Sequence, residues 1–344
     1  MAGSQALAET VRFLADPAVY GPEAHGGATA RVEARETHMS WVFLTAHRVY
    51  KLKKPVRYPF LDFSTVALRG RFCREELRLN RRLAAESYLA VRRIARAADG
   101  GLALDGAGDT VDWLVEMVRL PEAEMLDRRI AGGRLSRADV EALGARLAAF
   151  YAGQAGRRHD GRAYGARLVA EQAVNRRVLA RGPAALDGAA APLAAVDAAL
   201  ERLRPQLAER AEAGLLVDGH GDLRPEHVCL ADPLQIIDCL EFNPLLRCVD
   251  PFDEVGYLGL ECAVLGAGWV APLLAAPLAA RLAPPSPALA ALYRAFRALL
   301  RARLCMAHLL ETPVRKPAKW RPLAGRYLAA AERACVSLGC AGGR

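Results

Sequence analysis

Lysine is scarce in this chain of 344 residues: five of its forty-seven basic side chains are lysine (Lys51, Lys53, Lys54, Lys316 and Lys319) and the rest are arginine. The net charge of +9 favours an anionic partner. Arginine scattered through an alanine-rich chain is, however, a compositional bias. Without an aromatic-interleaved basic patch, zinc-finger spacing or an RNA-binding signature, nucleic acid is not the expected partner. CxxC pairs are also missing, and the eight cysteines sit mostly among apolar neighbours, reading as buried free thiols of a reducing, cytoplasmic compartment. The first fifteen residues lack the basic n-region of a secretory signal and contain Glu9. No membrane span is expected either. The apolar run 255–284 is interrupted by Glu261, Pro272 and Pro277 and reads as a buried helical pair.

What is present is enough apolar material, 53% of residues, for one large two-lobed domain or two ordinary ones. Helical spacing marks 5–14, and 21–31 is a Gly/Ala-rich loop. From residue 32 the texture turns to strands: 41–45, a turn at 46–48, then 49–53, whose alternation puts Val49, Lys51 and Lys53 on one face and Tyr50 and Leu52 on the other. Three of the five lysines fall within 51–54. A helix follows over 68–85 with Glu75 and Glu76 in its middle, then strands near 102–104 and over 111–118. Beyond Pro121 the pattern is helical: 136–151, opened by a Ser136/Asp139 capping box, then 163–179, 191–213 and 289–310. The division implied is a helix and loop over 1–30, a sheet lobe over 31–118 and a helical lobe over 119–344, with a frayed end at 339–344.

The helical half is broken by a polar stretch, 217–241. Within it, 228–230 and 235–237 read as short apolar strands joined by a turn at Ala231-Asp232-Pro233, which is a hairpin. A hairpin brings Asp238, just past its second strand, beside His227, just before its first. Asp222 lies in the loop entering it. Two carboxylates and a histidine gathered at loop ends are costly to desolvate unless they hold a cation or handle a proton. The bland alternative is a Gly- and Asp-rich surface turn.

His220-Gly-Asp222-Leu-Arg-Pro-Glu-His227, with Asp238 sixteen residues after Asp222, resembles the catalytic and metal-binding loops of the aminoglycoside phosphotransferase-like family. The segments Glu36-Thr-His-Met-Ser-Trp, Val49-Tyr-Lys-Leu-Lys-Lys-Pro, Leu61-Asp-Phe-Ser and Phe72-Cys-Arg-Glu-Glu-Leu resemble a bacterial subgroup in which this part is often fused to a P-loop kinase. The likeness covers roughly residues 30–330. It implies an α+β, two-lobed protein-kinase-like fold, with a small antiparallel-sheet lobe and a larger helical lobe. The chain carries no GxxxxGK[ST], so the activity expected is that of the kinase-like part alone.

The resemblance also implies roles for individual residues. Asp222 matches the aspartate that orients the acceptor hydroxyl, and Asp238 the one that holds Mg²⁺ against the phosphates of ATP. Lys51 matches the phosphate-contacting strand lysine and Glu76 its helix partner. Lys51 is preferred to Lys53 because Val49, two residues earlier, suits contact with adenine. Glu116, Met117 and Val118 would form the hinge whose backbone meets the adenine edge, and the glycine-free turn 37–40 would use amides with the Thr37 or Ser40 hydroxyl. His220 is expected to brace the loop, Asp250 and Asp253 to cap a helix or brace the loop, and Asn175 to line the acceptor site. One departure stands out: His227 occupies the place of the asparagine that ligates a second metal. Histidine there leaves open one-metal catalysis, a preference for Mn²⁺, direct contact with phosphate, or loss of activity. The acceptor is a small hydroxylated molecule, and the arginine-rich stretch 155–182 points to an anionic one. A nucleotide-binding pseudokinase that regulates a partner protein, or nucleotidyl transfer on the same fold, are the alternative readings.

Overall fold

The computed structural model describes residues 2–21, 24, 31–180, 185–311, 314 and 316–339. Most of the loop expected over 21–31, Cys340 and most of the frayed end expected over 339–344 lie outside the described residues. The chain runs α1 (Ala2–Ala15), β1 (Glu33–Glu36), β2 (Ser40–Leu44), β3 (Arg48–Lys53), a small hairpin of β4 (Arg57–Tyr58) and β5 (Leu61–Asp62), α2 (Val66–Ala84), β6 (Tyr88–Arg96), β7 (Leu102–Leu104) and β8 (Asp109–Val118). It continues with α3 (Leu126–Ala131), α4 (Arg137–Ala152), α5 (Gly161–Leu179), α6 (Ala190–Arg202), α7 (Arg204–Glu212), β9 (Val217–Asp218), β10 (Val228–Cys229), β11 (Gln235–Ile236), α8 (Pro244–Arg247), β12 (Cys248–Val249), α9 (Pro251–Val264), α10 (Val270–Ala279), α11 (Pro287–Ala307) and α12 (Pro317–Gly339). These elements form two compact units, Met1–Met125 with Glu226–Leu246, and Leu126–Pro225 with Arg247–Arg344.

The first unit is built on an antiparallel sheet of six strands in the order β1-β2-β3-β8-β6-β7. The period-two alternation of β3 divides its side chains as expected. Tyr50 and Leu52 pack with Leu14, Phe43, Ile94 and Leu114 in the α1 layer, while Lys51 and Lys53 face α2. The α2 layer is completed by Cys73, Ala84, Tyr88 and Val115. Strand β6 is not among the expected elements, because Arg92, Arg93 and Arg96 blur its alternation and bulges interrupt its pairing with β8.

The second unit is helical, with a short β9–β12 ladder. The Ser136/Asp139 capping box forms as anticipated, and the apolar run 255–284 folds largely as α9 and α10. The single helix expected over 191–213 is instead two, α6 and α7. Pro205 sits at the start of α7, where it lacks an N–H and its ring crowds the preceding turn. Helix α12 escapes the periodic reading, with Pro322 and Gly325 inside it. No helix among the described residues is long and apolar enough to cross a membrane. The seven described cysteines are free.

Candidate active site

The hairpin forms as the sequence implies. Val228 pairs with Ile236 and Cys229 with Gln235, and the Ile237 N–H donates to the His227 carbonyl at 2.9 Å. That register puts Asp238 beside His227, with Oδ2 3.5 Å from Nε2. The sequence groups the whole hairpin with the helical half, whereas its packing groups Glu226–Leu246 with the sheet. The reasons are specific: Gln235 bonds Ser87, the Asp238 N–H donates to the Tyr88 hydroxyl at 3.1 Å, and the Cys239 N–H donates to Asn80 at 2.8 Å. Asp238 itself sits at φ 62°, a left-handed conformation that aspartate tolerates better than most residues.

Lys51 and Glu76 meet. The Lys51 ammonium bridges Glu76 Oε1 at 2.9 Å and Asp238 Oδ1 at 2.6 Å. Glu75 turns outward to Arg78, while Glu76 is fully buried. Lys53, two residues along the same face and 1% exposed, bonds the other Glu76 oxygen at 2.5 Å and also Glu241. Five ionisable groups are thus gathered in one place, three of them, Lys53, Glu76 and Glu241, buried. Burial alone would raise the pKa of Glu76, but the two ammonium groups outweigh it and hold that carboxyl below its usual value. For Glu241 burial prevails over Lys53 and its pKa is raised. Lys51 is likewise desolvated, yet Asp238 and Glu76 hold its pKa well above the ordinary lysine value. Lys53 and Glu241 are the pair that the reading of one lysine and one glutamate missed. The available signals were the clustering of lysine at 51–54 and a glutamate three residues past Asp238.

The other expected nucleotide-side residues are placed as follows. Val49 is paired with Met117 across β3 and β8. Ser40 is buried, and its N–H and carbonyl are both bonded to the Thr37 hydroxyl, at 3.0 and 2.9 Å. The Glu116 carboxylate accepts from Tyr50 and faces Arg92. The Val118 N–H donates to the Ser87 carbonyl at 2.8 Å and that of Arg119 to His47 at 2.9 Å. The Val118 N–H is therefore already engaged.

In the second unit, Asp222 follows a loop that Glu254 holds. The buried Glu254 carboxylate accepts from the His220 N–H at 2.9 Å, the Gly221 N–H at 2.5 Å and the Tyr151 hydroxyl at 2.6 Å. Burial nevertheless raises its pKa. Gly221 has φ +90°, and a Cβ on Gly219 would collide with Glu254 and Val249, so the glycines of Gly219-His220-Gly221 are required by the turn and by the brace. His220 is fully buried and its Nδ1 accepts the Asp222 N–H at 3.3 Å, the bracing position expected of it. Asp222, with 29% of its side chain exposed, accepts from Tyr257 at 3.4 Å and lies 3.6 Å from Arg224. Asp250 caps α9 and pairs with Arg210, and Asp253 pairs with Arg297. Asn175 is fully buried against Gln172, which withdraws it from any acceptor surface. Within the arginine-rich stretch, Arg167 bonds the Cys248 carbonyl and Arg176 pairs with Asp197.

Among the described residues no cluster of three or more histidine, cysteine, aspartate or glutamate side chains is arranged to cage a metal ion. A Mg²⁺ ion that arrives with a nucleotide is typically held by one or two carboxylates plus phosphate oxygens and water. Asp238, 44% exposed at its side chain with His227 beside it, fits such an ion.

No family model matches the chain. Curated relatives described as uncharacterised proteins of Mycobacterium tuberculosis and Mycobacterium bovis are 29% identical over 289 residues, 79% of this chain and 54% of theirs. The chain therefore spans about half the length of the curated relatives it matches. Among solved structures, a choline/ethanolamine kinase family protein from Mesorhizobium loti matches with a TM-score of 0.55 at 15% identity, covering 97% of this chain and 99% of that one. Choline kinase from Cryptosporidium parvum matches with a TM-score of 0.55 at 9% identity, covering 98% and 97%. The chain has the protein-kinase-like fold, α+β with a sheet-based first part, as its resemblance to the aminoglycoside phosphotransferase-like family implies.

Proposed function

We propose that this protein transfers the γ-phosphoryl group of ATP to a hydroxyl of a small molecule. The observation that carries the reading is the Lys51 ammonium bridging Glu76 on α2 and Asp238 past the hairpin. A strand lysine held by a buried helix glutamate and a solvent-accessible aspartate is the charge arrangement a triphosphate needs. In this reading Lys51 neutralises the phosphates, and Asp238, with His227, holds a divalent cation that adds further neutralisation. Asp222 accepts the acceptor proton as the new P–O bond forms and the bond from Pγ to the bridging oxygen breaks, leaving ADP and a phosphate ester. Val49 and the backbone of 116–118 are the adenine side of the same proposal. Arginines at 157, 158 and 162 favour an anionic acceptor over a cationic one. Free cysteines and ATP chemistry together suit a cytoplasmic setting.

The test uses the purified chain with ATP and either Mg²⁺ or Mn²⁺, a panel of hydroxylated metabolites, and the Asp222→Asn variant. Nucleotide binding retained and transfer lost in the variant is the expected result. If the wild-type chain binds no nucleotide with either metal, the reading fails. A second reading, a nucleotide-binding regulator without turnover, is favoured by His227 and by the Thr37 hydroxyl being bonded within its own turn. Nucleotide binding with no transfer to any acceptor would select it, and a labelled nucleotidyl product would instead indicate nucleotidyl transfer.

A further inference from the structure

Helix α9 presents two faces to two different surroundings. Tyr257 and Glu261, one turn apart, face the Asp222 loop: the tyrosine donates to Asp222, and the glutamate pairs with Arg301 and approaches Arg224. On the opposite side of the 3.6-residue wheel, Gly256, Gly259 and Ala263 line a cavity of about 610 Å³ that α10, α11 and α12 also wall. Its size lies within the roughly 300–1,000 Å³ typical of small-molecule sites, as does its mostly apolar lining with a few polar groups.

The charges in that lining are of one sign. Arg294 on α11 and Arg333 on α12 reach it, and no acidic side chain does. On α11 the contrast is sharp, since Arg297 pairs with Asp253, Arg301 with Glu261 and Arg303 with Glu171. Arg294 has no such carboxylate among the described residues, and neither has Arg333. Arg294 is accessible to solvent, yet apolar wall around it lowers its pKa by burial, the mark of a cation short of a counter-charge. The α9 wall has room as well, because a Cβ on Gly256 would meet no atom within 4 Å.

We propose that this cavity binds a monomeric anionic amphiphile, a fatty carboxylate whose aliphatic chain lies against the small-residue wall of α9 and α10 and whose head pairs with Arg294 and Arg333. Apolar area and two guanidinium groups supply the two halves of that ligand's chemistry. The site is on the face of α9 turned away from Asp222, so binding is expected to proceed with nucleotide present.

Isothermal titration of the full chain with dodecanoate, hexadecanoate, dodecyltrimethylammonium and acetate tests it. One dodecanoate per chain is expected, with hexadecanoate tighter and no measurable binding of acetate or the cationic amphiphile. Gly256→Leu, which fills the cavity, should weaken dodecanoate at least tenfold. So should Arg294→Glu combined with Arg333→Glu, at two solvent-accessible positions, and thermal melts of all variants accompany the titrations. Equal affinity for cationic and anionic chains, or no binding of either carboxylate, overturns the proposal. Binding to anionic phospholipid vesicles without any response to monomeric dodecanoate overturns it too, in favour of a membrane surface.

Discussion

Lys53 and Glu241 form a buried ion pair that ties β3 to the strip of chain three residues past Asp238. The same ammonium also holds Glu76, so removing it strands two desolvated carboxylates. Lys53→Met should cost about 3–5 kcal/mol of stability, the usual penalty for breaking a buried pair. Lys53→Met combined with Glu241→Leu should recover much of that, because the charge left behind is then removed. Urea unfolding of both variants and of Glu241→Leu closes the cycle. A loss below about 1 kcal/mol in Lys53→Met would mean that solvent reaches this pair.

The two lysines should separate by function. Lys51 is the one bonded to Asp238, and Lys51→Met is expected to weaken nucleotide binding tenfold or more while costing less stability than Lys53→Met. Titration with a fluorescent ATP analogue, alongside the unfolding curves, measures both. Equal nucleotide affinity in Lys51→Met and wild type would move the phosphate contact elsewhere.

His227 invites a metal experiment. Imidazole nitrogen is a poorer partner for Mg²⁺ than an amide oxygen and a better one for Mn²⁺. Replacing it with the asparagine that the sequence resemblance implies at this place, His227→Asn, should therefore raise turnover with Mg²⁺ relative to Mn²⁺. An unchanged metal ratio in initial rates would place His227 outside the ion's reach.

The Glu254 brace predicts sensitivity at residues that act through the loop carrying Asp222. Gly219→Ala drives a methyl into Glu254 and Val249, and Glu254→Ala removes the carboxylate that accepts from the His220 and Gly221 N–H groups. Each should cost about 1–3 kcal/mol and lower kcat more than it changes nucleotide affinity, because Asp222 is carried by the loop they disturb. Steady-state kinetics with denaturation midpoints would reveal the split.

Acid stability should carry the signature of Glu76. Its folded pKa lies below the ordinary value of a free glutamate, so its contribution is fully present above the unfolded value and lost as pH falls through the folded one. Glu241 and Glu254 act in the opposite sense. Their raised pKa values mean that stability declines as pH rises from the unfolded value through the folded one. Denaturant midpoints measured against pH should show a shallower acid limb in Glu76→Gln than in wild type, and identical limbs would remove Glu76 from the linkage.

Much of this was legible in the chain. Short-range rules sufficed for the hairpin at 228–236, for the adjacency of His227 and Asp238, and for the common face of Lys51 and Lys53. Each follows from strand alternation and turn chemistry over a few residues. The capping box at Ser136 is of the same kind. Strand β6 and helix α12 were hidden because arginines, a proline and a glycine interrupt their periods, and packing against neighbours overrides that local signal.

By itself, then, the sequence determined which side chains could share a face or a turn. It could not say which charges would be buried together, because that depends on partners far apart along the chain. Lys53 meets Glu241 across 188 positions, and Tyr151 meets Glu254 across 103. Only the tertiary structure decided that Glu254 would hold the Asp222 loop and that the hairpin would pack on the sheet. Only there did Arg294 and Arg333 come to line one cavity. Desolvation is a property of the assembled neighbourhood, and no window of sequence contains it.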